Sequence, residues 1–582
     1  MESLSANALR VLEARYLQRD DAGGLIENFE GLCRRVADAV AAAEDAFGGD
    51  AQQHADVFFA ALRQREFLPN SPTLMNAGTE VGQLSACFVL PVEDSIESIF
   101  DALKHMALIH KTGGGTGFSL SHLRPAGDRV GPHRGVASGP VSFLGVFDAA
   151  TAAVVQGGRR RGANMGVLRV DHPDIRAFVR AKRDSDRFTN FNLSVATTDA
   201  FWRAARSGGA FDLLHPRDGK VVESVRAAAL LDEIAEAAWA CGDPGVIFLD
   251  AVERANPTPR LGPLEATNPC GELPLLPNES CNLGSIRLDA FVGDGRLDME
   301  RLDATVDLAV RFLDDVIEVN RAPLPEVAAQ TRATRKIGLG VMGFADALVD
   351  LGIPYDAPQA AEIAERVMTR IRSRAERASA HLAQERGAFP AWAGSRLAER
   401  GLRLRNATLT SIAPTGTISI VADCASGIEP YFALAFVRHV LSGERLAEVN
   451  ARFEAALRDA AAWSPDRVAE LARSGSAREM ADLPESIRRL FPVAADLTPT
   501  AHLAIQAAFQ RHVDNAVSKT INLPADATPG TIREIYASAW QLGLKGVTVF
   551  REGCKGGVLE RGVLGVGAED LECLGRAGRC AA

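Results

Sequence analysis

Tyrosine is scarce in this chain, with four residues beside twenty-six phenylalanines. Tyr16, Tyr355, Tyr431 and Tyr536 are dispersed, and no two are neighbours. Cysteine is sparse too: nine in 582 residues are too few for a disulfide scaffold. The chain lacks Cys-x-x-Cys and His-Glu-x-x-His, and its eleven histidines are scattered, so no metal site is expected. No run of about eighteen apolar residues occurs, which argues against a transmembrane helix. The N-terminal stretch MESLSANALRVLEARYLQRD is too charged for a secretory signal, so a cytoplasmic protein is expected. An excess of basic residues is missing as well. A net charge of −10 disfavours general binding to nucleic acid or to an anionic membrane. It leaves room for a local pocket that takes a small anion.

What is present suffices for a large folded body: 47% hydrophobic residues give material to bury, and 24% charged residues do not suggest disorder. The length exceeds the roughly 250–300 residues at which one ordinary core stops growing, so several domains or one large barrel are implied. Residues 1–65 read as helical, with helical spacing over 34–47 and 57–62. From 66 to 550 short apolar runs alternate with helical stretches, the pattern of an α/β body. Strand-like runs fall at 86–90, 166–170, 246–249, 418–421 and 546–550. Strong helices are predicted over 360–384 and 499–518, the second with Thr498 as N-cap and Pro499 at the first position. Residues 551–582 contain eight glycines and no aromatic residue, and read as a flexible tail. That tail nevertheless holds Cys554, Cys573 and Cys580.

Several motifs invite a chemical reading. Gly338-Leu339-Gly340-Val341-Met342-Gly343 fits a dinucleotide fingerprint. The polar stretch 330–336 stands where that fingerprint needs a hydrophobic strand, so close packing at a helix start is the better use of the glycines. Lys111-Thr112-Gly113-Gly114-Gly115-Thr116-Gly117 lacks the Gly-Lys-Ser/Thr of a phosphate loop and leaves a close-approach loop open. Pro414-Thr415-Gly416-Thr417-Ile418 offers consecutive backbone N–H groups and two hydroxyls, a nest suited to phosphate. The central constellation is Thr267-Asn268-Pro269-Cys270-Gly271-Glu272, followed by Glu279-Ser280-Cys281-Asn282-Leu283-Gly284-Ser285. It combines a sulfur, a base and a hydrogen-bonding amide. In an extended loop Asn268, Cys270 and Glu272 would point the same way at period two. Far upstream, Ser85-Ala86-Cys87 places another cysteine at a strand start.

With Pro69-Asn70-Ser71-Pro72-Thr73-Leu74 added, these pieces resemble the ribonucleotide reductase catalytic chain, in the family's order and over roughly residues 5–552. The resemblance implies a ten-stranded α/β barrel with a central finger loop, a helical N-terminal region and a flexible C-terminal tail. It implies that Cys270 carries a transient thiyl radical that removes the substrate's 3′-hydrogen. Glu272 would take the 3′-hydroxyl proton, and Asn268 would hold the ribose hydroxyls. Cys87 and Cys281 would supply two electrons by forming a disulfide as the 2′-hydroxyl leaves as water. The phosphates would sit on Ser71 and on Pro414, Thr415, Gly416, Thr417 and Ile418, with Ala86 and Arg160 also at the substrate. Cys573 and Cys580 would shuttle electrons from thioredoxin or glutaredoxin to the buried pair. Diphosphates are the better substrate guess from the overall resemblance.

Three radical sources are known for such enzymes. The version fed by a second, radical-generating subunit, the class I alternative, has adjacent tyrosines on a late strand. Here Val549-Phe550 stands in that place, and neither side chain has an O–H to couple electron and proton transfer. The glycyl-radical version needs an Arg-Val-Cys-Gly-Tyr-like end, and this chain ends Arg-Ala-Gly-Arg-Cys-Ala-Ala. Adenosylcobalamin remains, and residues 11–17 and 113–119 are similar to that class. The sequence names no residue for the cofactor.

The resemblance further implies a homodimer regulated by a deoxynucleoside triphosphate effector. Asp94, Ser95, Lys111 and Arg124 look like its contacts, and the glycine- and arginine-rich stretch 156–165, with Arg160, like the loop that links effector to substrate base. An N-terminal ATP-sensing cone is not expected. Two other classes compete: a non-enzymatic nucleotide-binding barrel would not need the cysteine set together with Glu272. A glycosidase-like barrel would need two opposed carboxylates and no cysteines.

Overall fold

The computed structural model describes residues 4–130, 135–154, 162–183, 187–439, 445–554 and 559–560. The chain begins with helices α1 (Ala6–Arg15), α2 (Phe29–Ala41) and α3 (Ala51–Arg63). Each starts at a short polar cap, Ser5, Asn28 or Asp50, whose side chain accepts a backbone N–H three residues on. The helix expected over 34–47 is in fact two pieces: α2 ends at Ala41 and a 3₁₀ turn, Ala42–Phe47, follows, closed by Gly48 at φ 73°. The left-handed backbone at Gly48 ends the helical run at low steric cost.

The body is a barrel made of two parallel half-sheets. In the first, β1 (Cys87–Leu90), β2 (Gly115–Ser119), β3 (Asn164–Arg169), β4 (Phe191–Thr197) and β5 (Gly245–Phe248) pair in that order, all parallel. In the second, β6 (Glu279–Arg287) pairs with β7 (Ile337–Met342), and β8 (Thr520–Leu523) with β9 (Gly546–Arg551). Between these two pairs runs the segment 410–412, which bridges to Leu339 on one side and Val517 on the other, again parallel. The halves meet through two antiparallel junctions, β1 with β6 and β5 with β9. Following the pairings therefore leads round ten members and back to the start. A short extra strand, Phe67–Pro69, lies outside the ring against β6.

Helices α4 (Ile96–Lys111), α5 (Met299–Val319), α6 (Pro358–Arg386) and α7 (Pro499–Gln510) belong to the belt around the barrel. Strands covered on both faces read as continuous apolar runs, and β1, β5 and β7 are buried throughout. Their alternation still sorts the side chains. On β1, Phe88 and Leu90 enter an outer core, while Cys87 and Val89 enter the interior. The N-terminal helices share a second outer core with α5 and α6, where Phe58 and Phe67 both pack edge-on against Phe312, at 5.0 and 5.3 Å.

Buried charge ties the same regions together. Arg386 bonds Glu44, Asp314 and Asp315, and Asp314 also receives Arg335 and Arg405.

Two expected elements change. Residues 418–421 form not a strand but a short helix, Ile418–Ala422. A four-residue apolar run fits either state, and the preceding turn at Thr415–Thr417 sets the helical one. The helix expected over 499–518 stops at Gln510, because the chain must turn to reach the barrel at Val517 and β8. Its cap is as expected, with Thr498 accepting the Ala501 N–H.

Candidate active site

The loop between β5 and β6 folds back into the barrel. Ala266–Thr267 pairs antiparallel with Pro274–Leu275. Leu264, Ala266, Leu273, Leu275 and Leu276 lie in the interior core with Cys87, Val89 and Cys281. The strands make room for this hairpin. A Cβ at Gly117 would sit 1.7 Å from the Thr267 carbonyl oxygen, and one at Gly115 would press on Pro269. The glycine run 113–117 is thus a close-approach surface. Gly338 and Gly340 do not pack at a helix start, the use expected for them in place of a dinucleotide fingerprint, but lie inside β7. A Cβ at Gly340 would lie 2.2 Å from the Ser411 carbonyl oxygen. Only Gly343, at φ 72°, sits at a helix start.

At the hairpin tip the Gly271 N–H donates to the Asn268 carbonyl at 3.0 Å, with Gly271 at φ 83°. This turn corrects the expectation that Asn268, Cys270 and Glu272 point the same way. Asn268 and Glu272 are buried, and Cys270 is exposed at the tip. The Asn268 amide is held at both ends. Its oxygen accepts the Leu273 N–H at 3.0 Å, and its nitrogen donates to the Cys87 sulfur at 3.1 Å.

Cys87 and Cys281 face each other directly across the β1–β6 junction. Opposed residues of an antiparallel pair have Cα atoms about 4.5–5.5 Å apart, inside the range a disulfide spans. Burial pushes the Cys87 thiol well up, and the charge of Glu272, then Cys270 and Cys281, adds to this. Burial and then Glu279 push the Cys281 thiol well up, while Lys336 opposes them. Both sulfurs are therefore held as protonated thiols. Asn268 bonds Cys87, Cys281 faces it in register, and the charges of Glu272 and Cys270 act on it, so the five sequence-predicted residues share one neighbourhood.

Glu279, the first residue of the Cys281 motif, braces this pair, a role its place in the motif does not specify. Glu279 accepts the Lys336 ammonium at 2.7 Å, the Leu276 N–H at 2.8 Å and the Thr334 hydroxyl. All three ties bind β6 to its surroundings next to Cys281. Glu279 sits two residues before Cys281, and that adjacency was the available signal.

The expected phosphate residues gather at another edge. Ser71 opens a short helix capped by Asn70. Thr415 is at φ 52°, its hydroxyl accepting the Gly427 N–H at 2.7 Å, and Thr417 precedes the helix Ile418–Ala422. Pro414, Gly416 and Ile418 lie in this same turn, just beyond the 410–412 segment of the barrel. The Ala86 carbonyl accepts the Gly115 N–H at 2.8 Å. Ser71 and Thr417 are linked through α1. The Tyr16 and Ser71 hydroxyls are 2.7 Å apart, and Arg15 donates to Thr417 Oγ1 at 3.1 Å. Arg160, Cys573 and Cys580 lie outside the described residues.

Of the effector candidates, Asp94 and Arg124 are joined by hydrogen bonds of 2.9 and 3.0 Å, and Arg217, unforeseen, donates to Asp94 at 2.7 Å. Burial favours the neutral form of Asp94, but the arginines hold its carboxyl below the usual range. Ser95 caps α4. Lys111 ends that 16-residue helix, roughly 24 Å from the cap at 1.5 Å per residue, so within one chain it does not join the others.

Val549 on β9 packs into an outer core, and Phe550 points to the opposite face. The tyrosine hydroxyls are engaged elsewhere, with Ser71, Ile428, Asp346 and Pro244. Asp289, Asp346 and Cys424 bring possible metal ligands within 4.8 Å of one another. Arg287 and Arg452 already bond these carboxylates, so the negative charge is answered without an ion.

Residues 85–404 and 396–550 match the family described as ribonucleotide reductase, barrel domain, and residues 2–82 its all-alpha domain. The chain is 54% identical to a vitamin B12-dependent ribonucleoside-diphosphate reductase of Mycobacterium tuberculosis, over 95% of this chain and 80% of that one. A protein of the same description from Thermoplasma acidophilum is 46% identical, over 95% and 79%. Among solved structures, the class Id ribonucleotide reductase alpha subunit of Actinobacillus ureae superposes with a TM-score of 0.76. It covers 94% of this chain and 97% of its own, at 21% identity, a likeness of fold.

Proposed function

The chain belongs to the ribonucleotide reductase family, and from that premise we propose that it reduces ribonucleoside diphosphates to 2′-deoxyribonucleotides with adenosylcobalamin as radical source. The observation that carries this reading is the division inside the barrel. Cys270 stands exposed at the loop tip, and behind it Cys87 and Cys281 face each other, buried and protonated. The vitamin B12 dependence in the names of the two relatives supports the choice of cofactor, as does the absence of a phenol at Val549 and Phe550. When bound, adenosylcobalamin supplies a cobalt–carbon bond that breaks homolytically.

The chain's own residues do the rest. Cys270, as a thiyl radical, takes the 3′-hydrogen, so an S–H bond forms as the C3′–H bond breaks. Glu272 accepts the 3′-hydroxyl proton, help worth about 10²–10⁴-fold. Asn268 holds the ribose hydroxyls beside the Cys87 sulfur. The facing thiols suit the next step because both carry their protons. The 2′-oxygen leaves as water, and the two electrons come from Cys87 and Cys281 as their sulfurs join. Cys270 then returns its hydrogen to C3′. The sum is ribonucleotide plus dithiol giving deoxyribonucleotide, disulfide and water. Thiol–disulfide exchange restores the pair, and Cys573 and Cys580 are the proposed relay from thioredoxin or glutaredoxin.

The phosphates rest on Ser71 and the turn 414–418. Asp94, Ser95 and Arg124 are the proposed contacts of a deoxynucleoside triphosphate, and Arg160 the link to the substrate base. The exposed apolar side chains Ile96, Phe100 and Leu108 on α4, with nearby Val146, suit a homodimer face. Among the described residues no helix is long and apolar enough to cross a membrane. We place the reaction in the cytoplasm, where its thiols stay reduced.

The test is an assay of the purified chain on CDP and CTP with a small dithiol. The expected outcome is CDP reduction that depends on adenosylcobalamin. Activity only with a metal-loaded second subunit would overturn the reading of the cofactor, and a preference for CTP that of the substrate.

A further inference from the structure

The last residue of the first helix, Arg15, and Tyr16, which caps its end, reach two segments that the sequence separates widely. Arg15 donates to Thr417 and Tyr16 pairs with Ser71, at sequence distances of 402 and 55 residues. These partners are the hydroxyls read above as the phosphate cradle, and the inference rests on that reading. Tyr16 is 1% exposed and Ser71 is half-buried, so the pair joins the buried helix end to the open side of the cradle. The far end of the Thr417 helix is tied to the same region. Asp423, which ends it, accepts Arg65 at 2.6 Å and the Ser5 N–H at 3.3 Å, and Ser5 caps α1. Helix α1 thus grips the short helix Ile418–Ala422 at both ends and holds Ser71 beside it. Arg15 also brings a permanent positive charge within one hydrogen bond of Thr417. A guanidinium matches phosphate oxygens in geometry as well as in sign.

We propose that Arg15 and Tyr16 set the site's selectivity for a nucleoside diphosphate. Arg15 neutralises the outer phosphate, and Tyr16 is a positioning residue that fixes Ser71. Neither takes part in the radical steps. Helix α1 is therefore part of the substrate site as well as of the N-terminal helical region.

The full chain is tested in two ways. CDP and CMP binding are measured by equilibrium dialysis without cofactor, and CDP turnover with adenosylcobalamin and dithiothreitol. Arg15→Gln should weaken CDP binding and raise its KM about tenfold or more, with kcat within about twofold. The preference for CDP over CMP should fall by a similar factor. Arg15→Lys should recover part of it, and Tyr16→Phe should raise KM a few-fold, roughly the effect of one neutral hydrogen bond. Thr417→Val and Ser71→Ala report on the cradle itself. If they raise KM while Arg15→Gln and Tyr16→Phe bind CDP like the parent, the inference is wrong and the cradle stands. If all four bind CDP like the parent, the phosphate reading falls and takes the inference with it. A loss of kcat at unchanged KM and unchanged CDP preference in Arg15→Gln also overturns it. Circular dichroism melting of each variant separates these results from unfolding.

Discussion

Cys33 in the N-terminal helical region and Cys87 in the barrel interior are both buried, and burial raises both thiols. Cys33 is pushed up to about 12, with Glu27 and Glu30 adding to burial. It packs on one face of α2 among Leu32, Val36 and Val40, as a small hydrophobe. Cys87 is likewise buried but in different company: Cys281 opposite in register, Asn268 donating to its sulfur, and the charge of Glu272 acting on it. Burial makes a cysteine quiet, and strand register makes a pair of them useful. The contrast extends to the regions. The interior holds the chemistry, while the outer belt, with its compensated arginine–carboxylate network, holds the fold.

The sharpest way to break this contrast is to truncate a cysteine in each region. Cys270→Ala should lower CDP reduction by at least about 10⁴-fold, and Cys33→Ala by less than about twofold, in the same turnover assay. Comparable losses would erase the distinction. Glu272→Gln keeps the shape and removes the base, and kcat should fall about 10²–10⁴-fold with little change in melting temperature. The belt should answer in the opposite way. Asp314→Ala leaves Arg335, Arg386 and Arg405 without their shared carboxylate and should cost about 3–5 kcal/mol in urea unfolding. A stable Asp314→Ala protein with failed chemistry would reverse the roles of the regions.

The smallest effect concerns acid. Burial pushes His110 on α4 down to about 4 from 6.5, against opposing hydrogen bonds with Asn164 and the Ala163 backbone. Between those values the unfolded chain binds a proton that the folded chain refuses. The stability from neutral His110 is therefore complete above about pH 6.5 and is lost as pH falls toward 4, about 3 kcal/mol in all. Melting curves of the parent and His110→Gln should converge as pH drops from 7 to 4.5, and parallel curves would refute the assignment.

Much of the site was legible because its chemistry sits in short contiguous motifs. Cys87, Asn268, Cys270, Glu272 and Cys281 are marked by short motifs in the order of the family they resemble, and the structure brings them into one neighbourhood. Their orientation was not legible. A period-two reading assumes an extended chain, and Gly271 at a positive φ replaces it with a turn that leaves Cys270 exposed at the tip. Strand positions were read to within a few residues where β-branched runs were flanked by turns. At 418–421 the same signal misled, since so short a run fits either state. Glu279 with Lys336, Arg217 with Asp94, and Arg15 with Thr417 were missed because each is an encounter between distant segments. No local pattern announces such a meeting.

The β1–β6 junction has one more consequence. It is one of the two places where the parallel half-sheets are sewn together, and Cys87 and Cys281 are the facing residues there. On the proposed chemistry, each turnover drives a covalent rivet across this seam, and each re-reduction withdraws it. The enzyme would stiffen and relax once per product molecule, so its redox state would be readable as resistance of the two halves to being pulled apart.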